Sequence, residues 1–75
     1  MPEERIIGIK RRIKESRERR GMSVKYIAEK MGVTIMAVYK WESTSAYRLI
    51  LPSLDNVIQF CEVLNVSTDY ILLGK

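Results

Sequence analysis

Apolar residues recur along this chain at helical spacing almost from end to end. Ile6, Ile9 and Ile13 stand three and four apart, which predicts a helix over about 4–20 with one apolar stripe. Arg17 continues the face of Ile13 four residues on, so a guanidinium meets the edge of the core and needs a carboxylate there. Gly21 suits the position just past the helix end. Ser23 is an N-cap residue opening a second helix over about 23–31, with Ile27, Ala28 and Met31 inward. Gly32 tolerates the positive φ of a sharp turn, and Val33 is placed to plug the elbow. Thr34 caps a third helix over about 34–42, with Val38 and Trp41 facing the core. Residues 43–51 read as a loop. Ser53 then opens a helix over about 53–64, with Leu54, Val57, Ile58, Cys61 and Leu64 at helical spacing. Asn65 suits a left-handed end. Ser67 caps a fifth helix over about 67–73, where Asp69 favours the N-terminal dipole and Tyr70, Ile71 and Leu73 supply apolar surface. The expectation is all-α: a compact five-helix bundle forming one domain over 1–75, with no repeat or linker.

Composition narrows the chemistry. Seventy-five residues enclose one modest core, and pairing with a second copy would add stability. There is no histidine and only one cysteine. An internal disulfide and a Cys/His zinc cluster are therefore excluded, no metal or cofactor is expected, and a reducing cytoplasm is the natural compartment. No apolar run approaches the ~18 residues of a membrane span, and the N-terminus lacks a signal-peptide pattern. Catalysis is not expected, since Cys61 lies on an apolar helical face with no partner base. The net charge of +4 is uneven. Residues 1–20 hold eight Lys/Arg against four Glu, whereas 21–75 hold five of each sign. The excess lies in the first helix, where Lys10, Lys14 and the arginines offer diffuse attraction to a polyanion.

Ser23 to Glu42, SVKYIAEKMGVTIMAVYKWE, reads as two short helices around a tight turn at Gly32-Val33. That is a helix-turn-helix, whose second helix enters a DNA major groove. Four pieces of the chain resemble the Cro/C1-type (XRE-like) helix-turn-helix family of the lambdoid phage repressors and Cro. They are Arg17 with Gly21, IAEKMGVT at 27–34, VYKWE at 38–42, and LPSLDNVIQFCEVLNVSTDYILLG at 51–74. The resemblance covers about Ile9 to Gly74. It implies the lambda repressor-like DNA-binding fold, a bacterial or phage-encoded transcriptional regulator, and double-stranded DNA as partner. It also implies an inter-helix ion pair between Arg17 and Glu42.

By the same resemblance, Thr34, Ile35, Met36 and Lys40 meet base edges. Backbone contacts fall to Ser23, Val24, Lys25, Ala37, Tyr39, Ser43, Thr44, Ser45 and Arg48, with the Tyr47 hydroxyl beside them. The chain departs from the family where polar readers are common. Ile35 and Met36 have no hydrogen-bonding side-chain group, so their readout is contact with thymine methyls. Val24 stands where glutamine is common. An apolar face of Val24, Ile35, Met36 and Tyr39 would equally suit a protein partner, which makes an antirepressor, adaptor or antitoxin the alternative.

One such unit contacts few base pairs. A repressor would therefore bind a palindromic operator as a homodimer. Leu49, Ile50 and Leu51 form an apolar run in a loop and, with Tyr70, Leu72 and Leu73, are the expected dimer interface.

Overall fold

The computed structural model describes residues 2–45 and 49–75; Tyr47 and Arg48, expected above to contact a DNA backbone, lie outside the described residues. Five helices run in order: α1 (Pro2–Arg19), α2 (Val24–Met31), α3 (Ile35–Glu42), α4 (Leu54–Leu64) and α5 (Thr68–Leu73). The described residues hold no strand. The first helix begins two residues earlier than its apolar stripe suggested. Pro2 lacks a donor that the first turn leaves unpaired anyway, and Glu3 and Glu4 favour the positive end of the dipole.

Short helices need their ends satisfied, because nucleation is costly and few internal bonds repay it. Each of the last four helices opens on a hydroxyl cap. Ser23, Thr34, Ser53 and Ser67 accept from the amides of Tyr26, Ala37, Asn56 and Tyr70 at 3.0, 3.1, 3.3 and 3.0 Å. Such a cap contributes about 1 kcal/mol. At the other ends, Gly32 (φ 68°) and Asn65 (φ 56°) take the left-handed conformation and return their amides to the preceding turn.

The core gathers one face from each helix: Ile9 and Ile13; Ile27, Ala28 and Met31; Val38 and Trp41; Val57, Phe60, Cys61 and Leu64; and Ile71. The second and third helices pack on each other at the turn, where Ala28 is buried and Val33 packs against the core. The first helix lies across α3 and α5, and α4 joins α2 to α5. Burial pushes the Cys61 thiol pKa above its ordinary value, as befits a small core residue.

Two details differ from the pattern reading. Leu54 and Ile58, expected to face inward, are exposed, and Phe60 is buried with Val57, Cys61 and Leu64. The apolar arc of α4 is wider than the strip its neighbours cover. Ile71 is fully buried and gives its apolar surface to the core.

The cations of α1 differ more. Lys10 has no exposed surface, so it is not part of a diffuse field. Its ammonium donates to the carbonyls of Lys40 (2.7 Å), Trp41 (3.1 Å) and Ile50. Arg12 donates to Ile71 O (2.8 Å) and Leu72 O (3.2 Å) at the end of α5. Arg20 donates to Asn65 O (3.1 Å) just past α4. Cations belong at helix C-termini, where carbonyls lack intrahelical partners and the dipole is negative. With Arg17, which donates to Met22 O, half of the eight cations in residues 1–20 bind other parts of the chain; Arg5, Arg11, Lys14 and Arg19 are exposed and make no such bond among the described residues.

Candidate nucleic-acid interface

The α2–turn–α3 unit is held from behind. Val38 and Trp41 are buried, which turns the opposite side of α3 outward. That side presents Ile35 and Met36 and, one turn on, Tyr39 and Lys40. Their exposures of 41% for Ile35, 57% for Met36 and 53% for Tyr39 are high for large side chains. Lys40 is exposed, and Ala37 is half-buried against the core. Thr34 lies at the tip of α3, its hydroxyl accepting from Ala37 while keeping its own hydrogen free to donate.

The N-terminus of α2 stands beside this face in sequence order across the turn. Ser23 and Lys25 are exposed. Val24 is not: it is 8% exposed and belongs to the core. The apolar face expected from Val24, Ile35, Met36 and Tyr39 therefore loses its first member. Val24 sits one residue past the cap, where the first turn of a short amphipathic helix packs down. Lys30 lies over the Tyr26 ring, 5.5 Å from its centre, on the exposed side of the same helix.

At the other end of α3, an open groove of about 620 Å³ is lined by Lys14, Arg17, Tyr39, Glu42, Ser43 and Ser45. Arg17 and Glu42 are paired in its lining. The guanidinium meets the carboxylate with two bonds, Nε to Oε2 at 2.6 Å and Nη2 to Oε1 at 3.1 Å. Nη1 donates to Met22 O at 2.8 Å, where the chain leaves α1. Only 13% of the Arg17 side chain and 6% of the Glu42 side chain are exposed. The hydrogen bond to Glu42 raises the guanidinium pKa further above neutrality. This pair joins the C-terminal ends of α1 and α3. Ser43 is half-buried, and Thr44 and Ser45 are exposed beyond it. Lys14 brings an exposed cation to the groove edge, and the Tyr39 ring brings a hydroxyl.

The residues expected at a dimer interface differ in their exposure. Ile50 and Leu51 are exposed and Leu49 half-buried. On α5, Tyr70 and Leu72 pack against the core, leaving Leu73 as the exposed side chain of that group. Leu54 (69% exposed) and Ile58 (43%) lie one turn apart on α4 and follow Ile50 and Leu51 in the chain.

No group of three or more His, Cys, Asp or Glu side chains able to hold a metal occurs among the described residues. None of the described helices is long and apolar enough to cross a membrane.

No curated protein and no solved structure matches the chain significantly. The helix-turn-helix family model HTH_3 matches residues 13–71, from the middle of α1 into α5. This span contains the α2–turn–α3 unit, the Arg17–Glu42 pair, α4 and the first part of α5. That family is one of DNA-binding domains and not of enzymes. The chain belongs to the helix-turn-helix family of the Cro/C1 (XRE) type.

Proposed function

We propose that the protein is a sequence-specific transcriptional regulator, a repressor that binds a palindromic operator as a dimer with α3 in the major groove. The observation that carries this reading is the outward face of α3. Ile35, Met36, Tyr39 and Lys40 stand clear of a helix whose other face is locked by Val38 and Trp41. Thr34, Ile35, Met36 and Lys40 meet base edges. Ile35 and Met36 contact thymine methyls, and Lys40 reaches a guanine edge or a phosphate. Ser23, Lys25 and the backbone amide at Val24 meet one phosphate at the start of α2. Tyr39, Ser43, Thr44 and Ser45, with Lys14, meet the backbone along the groove beside the Arg17–Glu42 pair. Ala37 lies close to the same strand. The exposed cations Arg5, Arg11, Lys14 and Arg19 add a nonspecific attraction, smaller than the sequence charge suggests because Lys10, Arg12, Arg17 and Arg20 bond within the fold.

Dimerisation is assigned to the exposed apolar surface of Ile50, Leu51, Leu54 and Ile58, with Leu49 at its edge. Leu73 lies on a separate element, and Tyr70 and Leu72 are engaged with the core. A protein partner for the face of α3 is the second reading, favoured by the exposure of Ile35 and Met36. The loss of Val24 from that face leaves three residues, a small anchor for a protein interface.

Selection from a random-sequence DNA pool at two salt concentrations tests the proposal. A palindrome with thymine-rich half-sites is the expected product. Salt-sensitive binding without enrichment would remove sequence specificity, and absence of binding at either salt would shift the function to a protein partner.

Two substitutions refine it. Met36→Ala should weaken operator binding by ~1 kcal/mol without changing the melting temperature, because the side chain is exposed. Equal operator affinity for parent and variant would remove Met36 from the readers. Lys40→Ala should reduce the slope of log affinity against log salt by about one if its ammonium meets a phosphate. An unchanged slope with altered base preference would make it a base reader instead.

A further inference from the structure

Lys10 is fully buried, and no carboxylate pairs with it among the described residues. Burial lowers its pKa, so the surroundings must compensate the charge in another way. They do so with backbone. An ammonium has three donors, and here three carbonyls face it: Lys40, Trp41 and Ile50. Two of these belong to the last turn of α3, whose carbonyls have no intrahelical partner. The carbonyl of Tyr39, one residue earlier, is already taken by the Ser43 amide at 3.0 Å. The third acceptor lies well beyond the helix, in the backbone that leads into the exposed apolar residues Ile50, Leu51, Leu54 and Ile58. A single buried group therefore holds the end of the reading helix and the start of that apolar surface in one geometry. A leucine at this position would fill the space and leave all three carbonyls without this donor.

We infer that Lys10 is a positioning residue for DNA recognition, fixing the backbone at Ile50 against the end of α3 and so setting the spacing at which two copies read their half-sites. Lys10 touches neither DNA nor the second copy. The spacing part rests on the dimeric reading proposed above; the hold on the backbone does not.

Two variants separate positioning from simple stability. Lys10→Met removes all three bonds. A chain made by chemical synthesis with an ester in place of the Ile50–Leu51 amide weakens one acceptor and leaves the bonds to Lys40 and Trp41. Backbone amide relaxation is measured first. Order parameters at Leu49 and Ile50 should drop from about 0.85 towards 0.6 in both variants, with Ile27 and Val38 unchanged. Pools carrying the selected half-site in pairs with variable spacers are then presented to parent and ester variant. The parent should enrich one spacer. The ester variant should spread over several, losing about tenfold on the parent's palindrome while binding a single half-site within about twofold.

Unchanged order at Leu49 and Ile50 overturns the inference. So does an equal loss on palindrome and single half-site, which a purely structural role predicts. A parent that enriches no paired half-sites overturns the dimeric reading and the spacing role together. Loosening at Leu49 and Ile50 would then still uphold the hold of Lys10 on the backbone.

Discussion

Arg17→Ala should melt on the order of 15 °C below the parent chain. The reasoning starts from what the substitution leaves behind. Glu42 keeps a carboxylate with only 6% of its side chain exposed, and it loses both of its bonds from Arg17. Removing one partner of a buried pair costs ~3 kcal/mol or more, because the other charge stays without compensation. Met22 O also loses its donor. In a domain of this size each kcal/mol moves the midpoint by roughly 4–8 °C. Three controls make the source of the loss visible. Arg17→Lys should recover only part of it, since an ammonium does not reproduce the two-bond fork. Glu42→Gln should cost less than Arg17→Ala, because it leaves no buried anion. Arg17→Met with Glu42→Leu should recover most of the stability, as apolar replacements of buried pairs usually do. Thermal and urea denaturation followed by helical circular dichroism gives all four values. An Arg17→Ala midpoint within error of the parent would mean that water reaches the pair in solution.

The same pair shows how far the sequence was legible. Arg17 lay on the stripe of Ile13, so its need for a carboxylate followed from spacing alone. The identity of the carboxylate came only from resemblance to the Cro/C1-type family, because nothing local connects positions 17 and 42. Helix ends were the most readable feature. Ser23, Thr34, Ser53 and Ser67 act through bonds to residues three ahead, and Gly32 and Asn65 through a backbone conformation. Those are local interactions, and local sequence carries them.

What depended on distant partners was read less well. Lys10 was taken as a solvated charge, yet it lies four past Ile6 and three before Ile13, on the buried stripe itself. The rule that flagged Arg17 applied equally to Lys10. A carboxylate was the expected partner of a buried cation, and backbone carbonyls at the ends of other helices leave no trace in side-chain composition. Ser16, also on that stripe, is buried with a hydroxyl that has no protein partner among the described residues. Leu54 and Ile58 failed for the opposite reason. Their spacing was helical and apolar, but periodicity does not say how wide an arc the neighbouring helices cover. The charge excess of α1 belongs to the same class. A net charge counts cations without asking which are bound, and half of those in residues 1–20 are hydrogen-bonded within the fold.

Lys10→Met should destabilise the fold by ~3 kcal/mol, and the loss should persist in high salt. Methionine keeps the length and packing of the lysine stem, so little of the effect would come from a cavity. What disappears is the donor set for the carbonyls of Lys40, Trp41 and Ile50. An unsatisfied buried acceptor costs about 1–3 kcal/mol, which applies in full at Trp41 O and less at Lys40 O and Ile50 O, whose residues are exposed. Relief of the ammonium's desolvation offsets part of that sum, which holds the net below the total for three bonds. The salt control carries the distinction. A buried, fully bonded charge is screened little, whereas attraction between exposed cations and a polyanion falls steeply with salt. Arg11→Gln, an exposed cation of the same helix, should accordingly leave the urea midpoint unchanged. It should weaken DNA binding only at low salt, if Arg11 acts in the diffuse field. Urea midpoints for Lys10→Met at two salt concentrations decide the matter. If the destabilisation shrank with added salt, the ammonium would be in contact with solvent, and Lys10 would belong to the diffuse field of α1.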